Sequence, residues 1–267
     1  MKLPDTYARQ CSKPVSVSLQ LHSMRHLGSL DAQFEAAVEA GFASVEGLEN
    51  RLMAASNFRA GLDRFQLTCS SAHVSMQTLL GNRELVSANC LVAGISSVFV
   101  NPMPIDDPFN PMAWCRAGDN LARVAEDFDR YEIRLGYHNG ANGFVPLRSG
   151  RCGIEDLFRS ATGSPLKWQA DIGWIRRARG NPVEWLKRLK DFLVSAHIKD
   201  VCADIDVEEG WQDVGTGLLV WPVLLKAATE SGARSLVVEH DNPPDPAEFA
   251  RRSSSYLNKF RASLHLA

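Results

Sequence analysis

Four side chains that can bind a metal ion stand at the ends of four successive strands predicted in the second half of the chain. They are His138, Asp171, His197 and Glu239. Each follows directly on an apolar run, and their spacing along the chain is about that of one strand–helix unit. Two imidazoles and two carboxylates at neighbouring strand ends are donors with which a barrel can hold one divalent cation at its mouth. The pattern therefore predicts a single metal site.

Each of these four residues also has a simpler interpretation that involves no metal. A strand-end histidine such as His138 or His197 can be an interior side chain that bonds to a nearby group. Asp171 can cap the turn that follows it. Glu239 is harder to explain in this way, because it ends a valine-rich strand, where an unpaired carboxylate is costly to bury. A cation would stabilise the charged forms of Asp171 and Glu239 together, so we favour the metal site over four unrelated explanations.

Strand and helix patterns alternate along the whole chain. Strands are predicted over 15–21, 42–45, 67–71, 96–100, 133–137, 166–170, 193–196 and 236–238. Polar residues end six or more of them, and no glycine-rich phosphate turn follows the first strand, so a closed barrel is favoured over a doubly wound open sheet. A chain of 267 residues has the length of one barrel. We predict the α/β class, with a single (β/α)8 TIM-barrel domain over residues 1–267.

The helices between these strands are marked by caps and by apolar periodicity. Ser29 and the pairs Asn181-Pro182 and Asp245-Pro246 predict helix starts. Further helices are predicted over 52–65, 85–92 and 218–231. The segment 101–111, rich in Pro, Asp and Asn, is interpreted as a loop over the barrel mouth and not as a linker between domains, because the alternation resumes after it.

Charge and composition exclude several classes of partner. The formal net charge of −2 gives no general attraction to nucleic acid or to anionic membranes. No stretch of 18 apolar residues and no apolar leader occurs, so we predict neither a membrane span nor a signal peptide. The six cysteines form no Cys-x-x-Cys pair and are interpreted as free thiols, with Cys69 and Cys90 in the interior. A cytoplasmic location is the resulting prediction.

Seven short motifs occur in order along most of the chain, each of them weak alone. They are Gln20-Leu21-His22-Ser23-Met24-Arg25, Glu39-Ala40-Gly41-Phe42-Ala43-Ser44-Val45-Glu46, Leu135-Gly136-Tyr137-His138-Asn139, Asp171-Ile172-Gly173-Trp174, His197-Ile198-Lys199-Asp200, Val214-Gly215-Thr216-Gly217 and Val237-Val238-Glu239-His240-Asp241. In this order and spacing, the chain resembles the xylose isomerase-like barrels of the sugar phosphate isomerase/epimerase group. The resemblance implies a barrel with one divalent cation at its C-terminal mouth, held by His138, Asp171, His197 and Glu239.

The resemblance has two departures, both in the fifth βα loop. Relatives often carry Glu at the first ligand position, whereas this chain resembles a branch with Tyr-His-Asn-His there. The second His of that motif is Gly140 here, and an acidic residue often found a few positions on is replaced at Gly143. Both changes remove polar groups. A proton transfer assigned to this loop in relatives therefore cannot be carried over to this chain.

The reaction that the resemblance implies moves a proton next to the carbonyl group of a sugar or keto-sugar, which a divalent cation polarises. Isomerisation and epimerisation are the first expectation. Many relatives use two metal-bound glutamates for epimerisation, and only Glu239 remains of that pair. A metal-dependent lyase or dehydratase that acts by β-elimination is therefore the alternative, with Glu239 as the base and Lys199 as the rival base. Two further alternatives are a barrel that has lost catalysis and only binds, and an apurinic-site nuclease, which the net charge disfavours.

Other residues are predicted to line the mouth and to contact the small-molecule substrate. Glu46 and His73 end the second and third predicted strands, Trp174 offers an apolar face for a sugar ring, and Lys199 shares the side of its strand with His197. Trp211 is expected to pack a loop, and the run 214–217 to form a plain turn and not a phosphate site. The donor set leaves the metal open among Mn²⁺, Mg²⁺, Zn²⁺ and Co²⁺. The sequence also leaves a homo-oligomer open.

Overall fold

The structure is a computed structural model and describes residues 14–103, 105–203 and 208–263. These residues contain ten strands. They are β1 Ser16–Gln20, β2 Ser44–Leu48, β3 Thr68–Val74, β4 Ser97–Val100, β5 Arg134–His138, β6 Lys167–Asp171, β7 Leu193–Ile198, β8 Asp200–Val201, β9 Trp211–Gln212 and β10 Ser235–Val238. Eight of them pair in parallel and close into a barrel in the order β1-β10-β7-β6-β5-β4-β3-β2. The remaining two, β8 and β9, pair in antiparallel fashion beside the barrel mouth. The predicted eight-stranded barrel is confirmed.

Helices follow the barrel strands and cover the outside of the barrel. They are α1 Leu30–Glu39, α2 Glu49–Met53, α3 Ala55–Arg64, α4 Met76–Ala93, α5 Pro111–Asp129, α6 Gly153–Ser160, α7 Ile172–Arg177, α8 Pro182–Arg188, α9 Trp221–Glu230 and α10 Pro246–Asn258, with short 3-10 turns at Leu21–Leu27, Asn142–Phe144 and Glu208–Gly210. The three predicted caps are confirmed: the side chains of Ser29, Asn181 and Asp245 each accept a hydrogen bond from a backbone N–H of the helix that they start.

Two predicted helix ranges have wrong bounds, and a third, although helical, is only part of a longer helix. The range 52–65 contains parts of two helices, because the backbone leaves the helical region at Ala54, where no Gly or Pro marks the break. The range 85–92 is the second half of α4, which begins at Met76 and is interrupted by non-helical backbone at Asn82. The range 218–231 begins three residues early, because the backbone N–H of Leu218 donates to the carbonyl of Val201 and ties this segment to the β8–β9 hairpin.

The barrel interior is unusually polar for this fold, in which branched apolar side chains normally fill the centre. Ser18, Glu46, Ser71, Gln169 and Ser195 are all buried there and hydrogen-bonded to other interior side chains. The apolar core lies mainly outside the barrel, between strands and helices. The interior therefore supplies a polar support beneath the mouth.

One aromatic residue fills part of the barrel interior. A Cβ atom at Gly136 of β5 would lie 2.6 Å from the ring of Phe99 on β4, so glycine is required where that ring crosses β5. Phe99 is itself buried. This packing closes the β4–β5 side of the barrel next to the polar interior.

No helix of the described residues has the length and apolar character needed to cross a membrane. Cys69 and Cys90 are free and buried, as predicted, and burial raises the pKa of each thiol to about 12. Cys11 lies outside the described residues.

A candidate metal centre at the barrel mouth

The four predicted ligands meet at the C-terminal mouth of the barrel. His138 and Asp171 are the last residues of β5 and β6, His197 lies near the end of β7, and Glu239 follows β10 directly. All four are buried, and one ligand atom from each lies within 4.8 Å of the others. The His138 Nε2 to Asp171 Oδ2 distance is 3.6 Å, and the His197 Nδ1 to Glu239 Oε2 distance is 2.8 Å. The predicted convergence is confirmed, whereas the role of these residues as ligands stays a prediction.

Asp171 supports both of its interpretations, with a different oxygen atom for each. Its Oδ1 accepts a hydrogen bond of 2.8 Å from the backbone N–H of Trp174 and so caps α7. Its Oδ2 is buried and has no hydrogen-bond partner. A buried, charged and unsatisfied oxygen is costly. Because Oδ2 faces the other three candidate ligands, the arrangement fits a cation at this point.

His197 lies between two carboxylates in the barrel centre. Its Nε2 lies 2.6 Å from Glu46 Oε2, and its Nδ1 lies 2.8 Å from Glu239 Oε2. Burial alone would lower the pKa of His197, but the two carboxylates outweigh burial and raise that pKa to about 10. Without a metal, His197 is therefore an imidazolium that holds Glu46 and Glu239 together.

His138 is uncharged at neutral pH, in contrast to His197. Burial, together with the positive charge of His197, lowers the pKa of His138 to about 4. Its ring centre lies 4.5 Å from that of His197 and 4.6 Å from that of His73. At neutral pH His138 is thus a neutral imidazole, which is the form that can bind a metal ion.

Glu46 does not face the cavity, and the prediction that it contacts a substrate is not supported. β2 extends to Leu48, so Glu46 lies inside the strand and not at its end. Its carboxylate is fully buried and accepts hydrogen bonds from Gln20, Ser71 and Gln169, besides its contact with His197. Although burial opposes ionisation, the neighbouring histidines hold the pKa of Glu46 well below its usual value. Glu46 is therefore a buried anion beneath the candidate metal centre.

A second group of close donors is formed by His73, His138 and His197. Two of these histidines already use one ring nitrogen each: His73 Nε2 lies 2.7 Å and His138 Nδ1 lies 3.0 Å from the amide oxygen of Gln169. The group with Asp171 and Glu239 adds two carboxylates, and one of its atoms, Asp171 Oδ2, is buried without a hydrogen-bond partner. We therefore place the candidate metal centre at His138, Asp171, His197 and Glu239.

Lys199 is buried beside this centre, directly after the end of β7, and its side chain lies on the same side as that of His197, as predicted. Its Nζ contacts Asp241 and lies 3.3 Å from Glu239 Oε2 and 3.8 Å from Asp171 Oδ2. It also lies 4.2 Å from the centre of the Trp211 ring. Burial favours the neutral amine, but the three carboxylates outweigh it and raise the pKa of Lys199. This direction favours the ammonium form of Lys199 and gives no support to its role as the rival base, which stays a prediction.

A cavity of about 200 Å³ opens above the centre. Of the predicted substrate-binding residues, His73, Trp174 and Lys199 lie on its wall, and Glu239 reaches it from below. Its lining is completed by residues from several strand ends and loops: Gln20, His22, Leu48, Asn101, Pro102, His138 and Asp241. A larger cavity of about 370 Å³ lies at the opposite end of the barrel, and the described residues that line it include no histidine or carboxylate.

His22 and Asp241 are cavity residues to which the sequence analysis assigned no role. His22 follows β1, and burial lowers its pKa, so it is a neutral imidazole. Asp241 lies two residues beyond Glu239 and binds the ammonium group of Lys199. Both stand just after strand ends, which is the signal that identified the other four residues. Gln20 and Gln169 carry no comparable signal, because a neutral amide inside a strand has no distinctive pattern.

The run 214–217 forms a turn, as predicted, and its backbone is already used inside the protein. The N–H groups of Gly215 and Gly217 donate to the Asp200 carboxylate at 3.0 and 3.1 Å. A Cβ atom at Gly217 would lie 2.4 Å from that carboxylate, so glycine is needed for the close approach. Trp211 is buried in the loop that this turn supports, as expected. The turn thus anchors the hairpin next to Lys199 and offers no free N–H pair to a phosphate.

Comparisons with known proteins identify the fold. Neither a family model nor a curated protein matches the sequence. A sugar phosphate isomerase/epimerase from Parabacteroides distasonis is similar in structure, with a TM-score of 0.77 and 19% identity over 96% of this chain and 98% of that one. The probable 3-DHS dehydratase AsbF from Bacillus anthracis gives a TM-score of 0.72 and 12% identity over 91% and 98% of the two chains. The IolI protein, whose structure contains a zinc atom, gives 0.70 and 13% over 93% and 98%.

Further similar structures are described as xylose isomerase domain proteins. The structural neighbours of this chain are thus sugar phosphate isomerase/epimerase and xylose isomerase-like TIM barrels, in agreement with the resemblance found in the sequence. At these low identities the similarity establishes the (β/α)8 fold and not the reaction.

Proposed function

We propose that the protein is a divalent-metal-dependent enzyme that transfers a proton next to the carbonyl group of a sugar or keto-sugar. The observation that carries this proposal is the convergence of four candidate ligands at the floor of a cavity, one of which, Asp171, has a buried Oδ2 without a hydrogen-bond partner. Barrels of this fold place their active sites at this end. Several structural neighbours are sugar phosphate isomerase/epimerase or xylose isomerase-like proteins, which supports the choice of substrate class.

His138, Asp171, His197 and Glu239 would hold the cation, which supplies Lewis-acid polarisation of a substrate carbonyl. Two imidazole nitrogens and two carboxylate oxygens suit Zn²⁺, Co²⁺ and Mn²⁺ better than Mg²⁺, which prefers oxygen ligands and keeps several waters. The zinc atom in the IolI structure is consistent with such an ion in a neighbour of the same fold.

In this proposal the proton is accepted by Glu239, whose carboxylate reaches the cavity. Although burial opposes ionisation, Lys199 and His197 hold the pKa of Glu239 well below its usual value. Glu239 is therefore ionised at neutral pH, in the form that can accept a proton. Lys199 stands 3.3 Å from Glu239 Oε2 and would stabilise negative charge that develops on the substrate oxygen. His73 and Trp174 form walls of the cavity and would position the substrate.

A lyase or dehydratase reaction is the second candidate, and the fifth strand and its loop favour it. His138 supplies a neutral nitrogen where paired glutamates would supply a second carboxylate. In the loop beyond it, a Cβ atom at Gly143 would lie 3.3 Å from Ile154, and one at Gly140 would lie 3.3 Å from Pro102, so this region is packed by apolar side chains. A reaction with one base needs no group there. The dehydratase among the structural neighbours belongs to the same fold.

The proposed proton transfer can be tested without knowledge of the product. Metal-loaded protein is incubated in D₂O with a panel of ketoses and 3-keto-glycosides, and deuterium incorporation and product formation are followed by NMR. Wild type should exchange a carbon-bound proton of at least one compound. Glu239→Gln should lower the rate by about 10²–10⁴-fold, as expected for the loss of a general base.

The variant Lys199→Met provides the comparison on the same panel, because it removes the ammonium group and leaves Glu239 in place. Near-normal exchange by Glu239→Gln would exclude Glu239 as the base. Isomerised, epimerised or dehydrated products would then distinguish the two candidate reactions.

A binding protein without activity is distinguished by its metal content. Elemental assay of purified protein, followed by thermal unfolding of EDTA-treated protein with Mn²⁺ or Zn²⁺, should reveal a bound ion and an increase in Tm. No metal and no increase would favour the binding protein. The identity of the sugar, the cytoplasmic location and a homo-oligomeric state stay predictions.

A further inference from the structure

The amide group of Gln169 lies at the centre of the polar interior, directly beneath the candidate metal centre. Gln169 stands two residues before Asp171 on β6, so both side chains point into the barrel. It is fully buried and makes four hydrogen bonds. Its Nε2 donates to Glu46 Oε1 at 2.7 Å and to Ser195 Oγ at 3.1 Å, and its Oε1 lies 2.7 Å from His73 Nε2 and 3.0 Å from His138 Nδ1.

The orientation of this amide is dictated by Glu46. An ionised carboxylate can only accept hydrogen bonds, so the group that faces Glu46 Oε1 must be the NH₂ of Gln169. The amide oxygen then faces the two imidazoles. Because this oxygen can only accept, His73 Nε2 and His138 Nδ1 must both be the protonated nitrogens of their rings.

The protonation of His138 at Nδ1 determines which nitrogen can bind a metal ion. A neutral imidazole carries one N–H and one lone pair. With the proton on Nδ1, the lone pair of His138 lies on Nε2, which is the nitrogen 3.6 Å from the unpartnered Asp171 Oδ2. If the tautomer were reversed, an N–H would point into the candidate centre and no lone pair would be available there.

We infer that Gln169 is a positioning residue that holds His138 in the Nδ1–H tautomer and so directs its Nε2 lone pair to the metal centre. Glu46 fixes the orientation of the Gln169 amide through Oε1. Its other oxygen, Oε2, contacts Nε2 of His197, so Nδ1 of His197 faces Glu239. One buried carboxylate thus sets the direction of the hydrogen bonds around both imidazole ligands. The metal-binding part of this inference rests on the proposed function, whereas the tautomer does not.

The first test measures metal affinity by titrating Zn²⁺ or Co²⁺ into EDTA-treated protein by calorimetry. Gln169→Met keeps the length of the side chain and removes the amide. It should weaken metal binding by about 10–100-fold, the usual effect of losing a partner that orients a metal ligand. Ser195→Ala is the matched control, because it removes another partner of the same amide without touching a histidine, and its affinity should stay close to that of wild type.

The second test determines the His138 tautomer in metal-free protein by long-range ¹⁵N–¹H NMR of the histidine rings. The His138 signals are assigned by their absence from the spectrum of His138→Asn. Wild type and Ser195→Ala should carry the His138 proton on Nδ1, and Gln169→Met should shift it wholly or partly to Nε2. The wild-type tautomer is read without Gln169→Met, so the inference stays testable if that variant does not fold.

Three results would overturn the inference. They are an Nε2–H tautomer of His138 in wild type, unchanged metal affinity in Gln169→Met, and weakened affinity in that variant with an unchanged tautomer, which would indicate a merely structural role. Failure of wild type itself to bind any metal is a different result. It would refute the proposed function and leave the tautomer of His138 as the test of Gln169.

Discussion

Replacement of His197 by Ala should destabilise the metal-free protein substantially. A strand-end position alone predicts few core contacts for this side chain, but the structure buries it completely between Glu46 and Glu239. Removal of one partner from a buried ion pair costs about 3–5 kcal/mol, because an uncompensated charge is left behind. Two carboxylates are left here. For a domain of this size, that loss corresponds to a decrease in Tm on the order of 10 °C.

The effect should depend on pH with a definite sign. The folded pKa of His197, about 10, lies above its unfolded value of about 6.5. Its stabilising contribution is therefore fully present below pH 6.5 and is lost as the pH rises towards 10. The difference in unfolding free energy between wild type and His197→Ala, measured by urea denaturation in EDTA, should be largest near pH 6 and shrink steadily as the pH rises from about 6.5 towards 10.

His197→Gln serves as the comparison, because it keeps a hydrogen-bond donor but no charge, and it should be less destabilised than His197→Ala. A metal-free His197→Ala protein as stable as wild type at pH 6 would refute the ion-pair arrangement described for the barrel centre.

Three further predictions concern neighbouring features. Asp171→Asn should keep the cap of α7 and the stability of the metal-free protein, yet lose more than about tenfold in Zn²⁺ affinity by calorimetry; unchanged affinity would exclude Asp171 as a ligand. Gly136→Ala should lower the unfolding free energy by about 1–3 kcal/mol through overpacking against Phe99, which urea denaturation measures. Cys69 and Cys90 should react with a thiol reagent at pH 8 only on unfolding, as followed by mass spectrometry, because both are buried and their pKa is about 12; rapid labelling of either would contradict their position.

The sequence predicts the barrel and the four converging residues for a physical reason. Apolar runs that alternate with helices form parallel strands, whose carboxyl ends all meet at one end of a barrel. A polar residue directly after such a run lies at that end when the run stops close to the end of the strand itself, as it does before these four residues. This is why His138, Asp171, His197 and Glu239 converge as expected.

The polar contacts that surround these four residues could not be predicted from the sequence. Whether Glu46 faces the cavity or the interior depends on where β2 ends, and the predicted strand ended at residue 45, three residues before the actual end at Leu48. Gln169 is hydrogen-bonded to Glu46, His73 and His138. These partners are distant from it in sequence, so no local pattern identifies Gln169. The charge of Lys199 likewise depends on three carboxylates from separate strand ends and could not be inferred from burial alone.

The most direct test of the metal centre is a crystal structure of the protein soaked in Co²⁺ or Zn²⁺, with anomalous diffraction to locate the ion. One ion should lie within coordinating distance, about 2.0–2.2 Å, of His138 Nε2, Asp171 Oδ2, His197 Nδ1 and a Glu239 oxygen, with Gln169 Oε1 still bonded to His138 Nδ1. An anomalous map without an ion at this point, with His197 still held between Glu46 and Glu239, would contradict the assignment of a metal centre to this barrel.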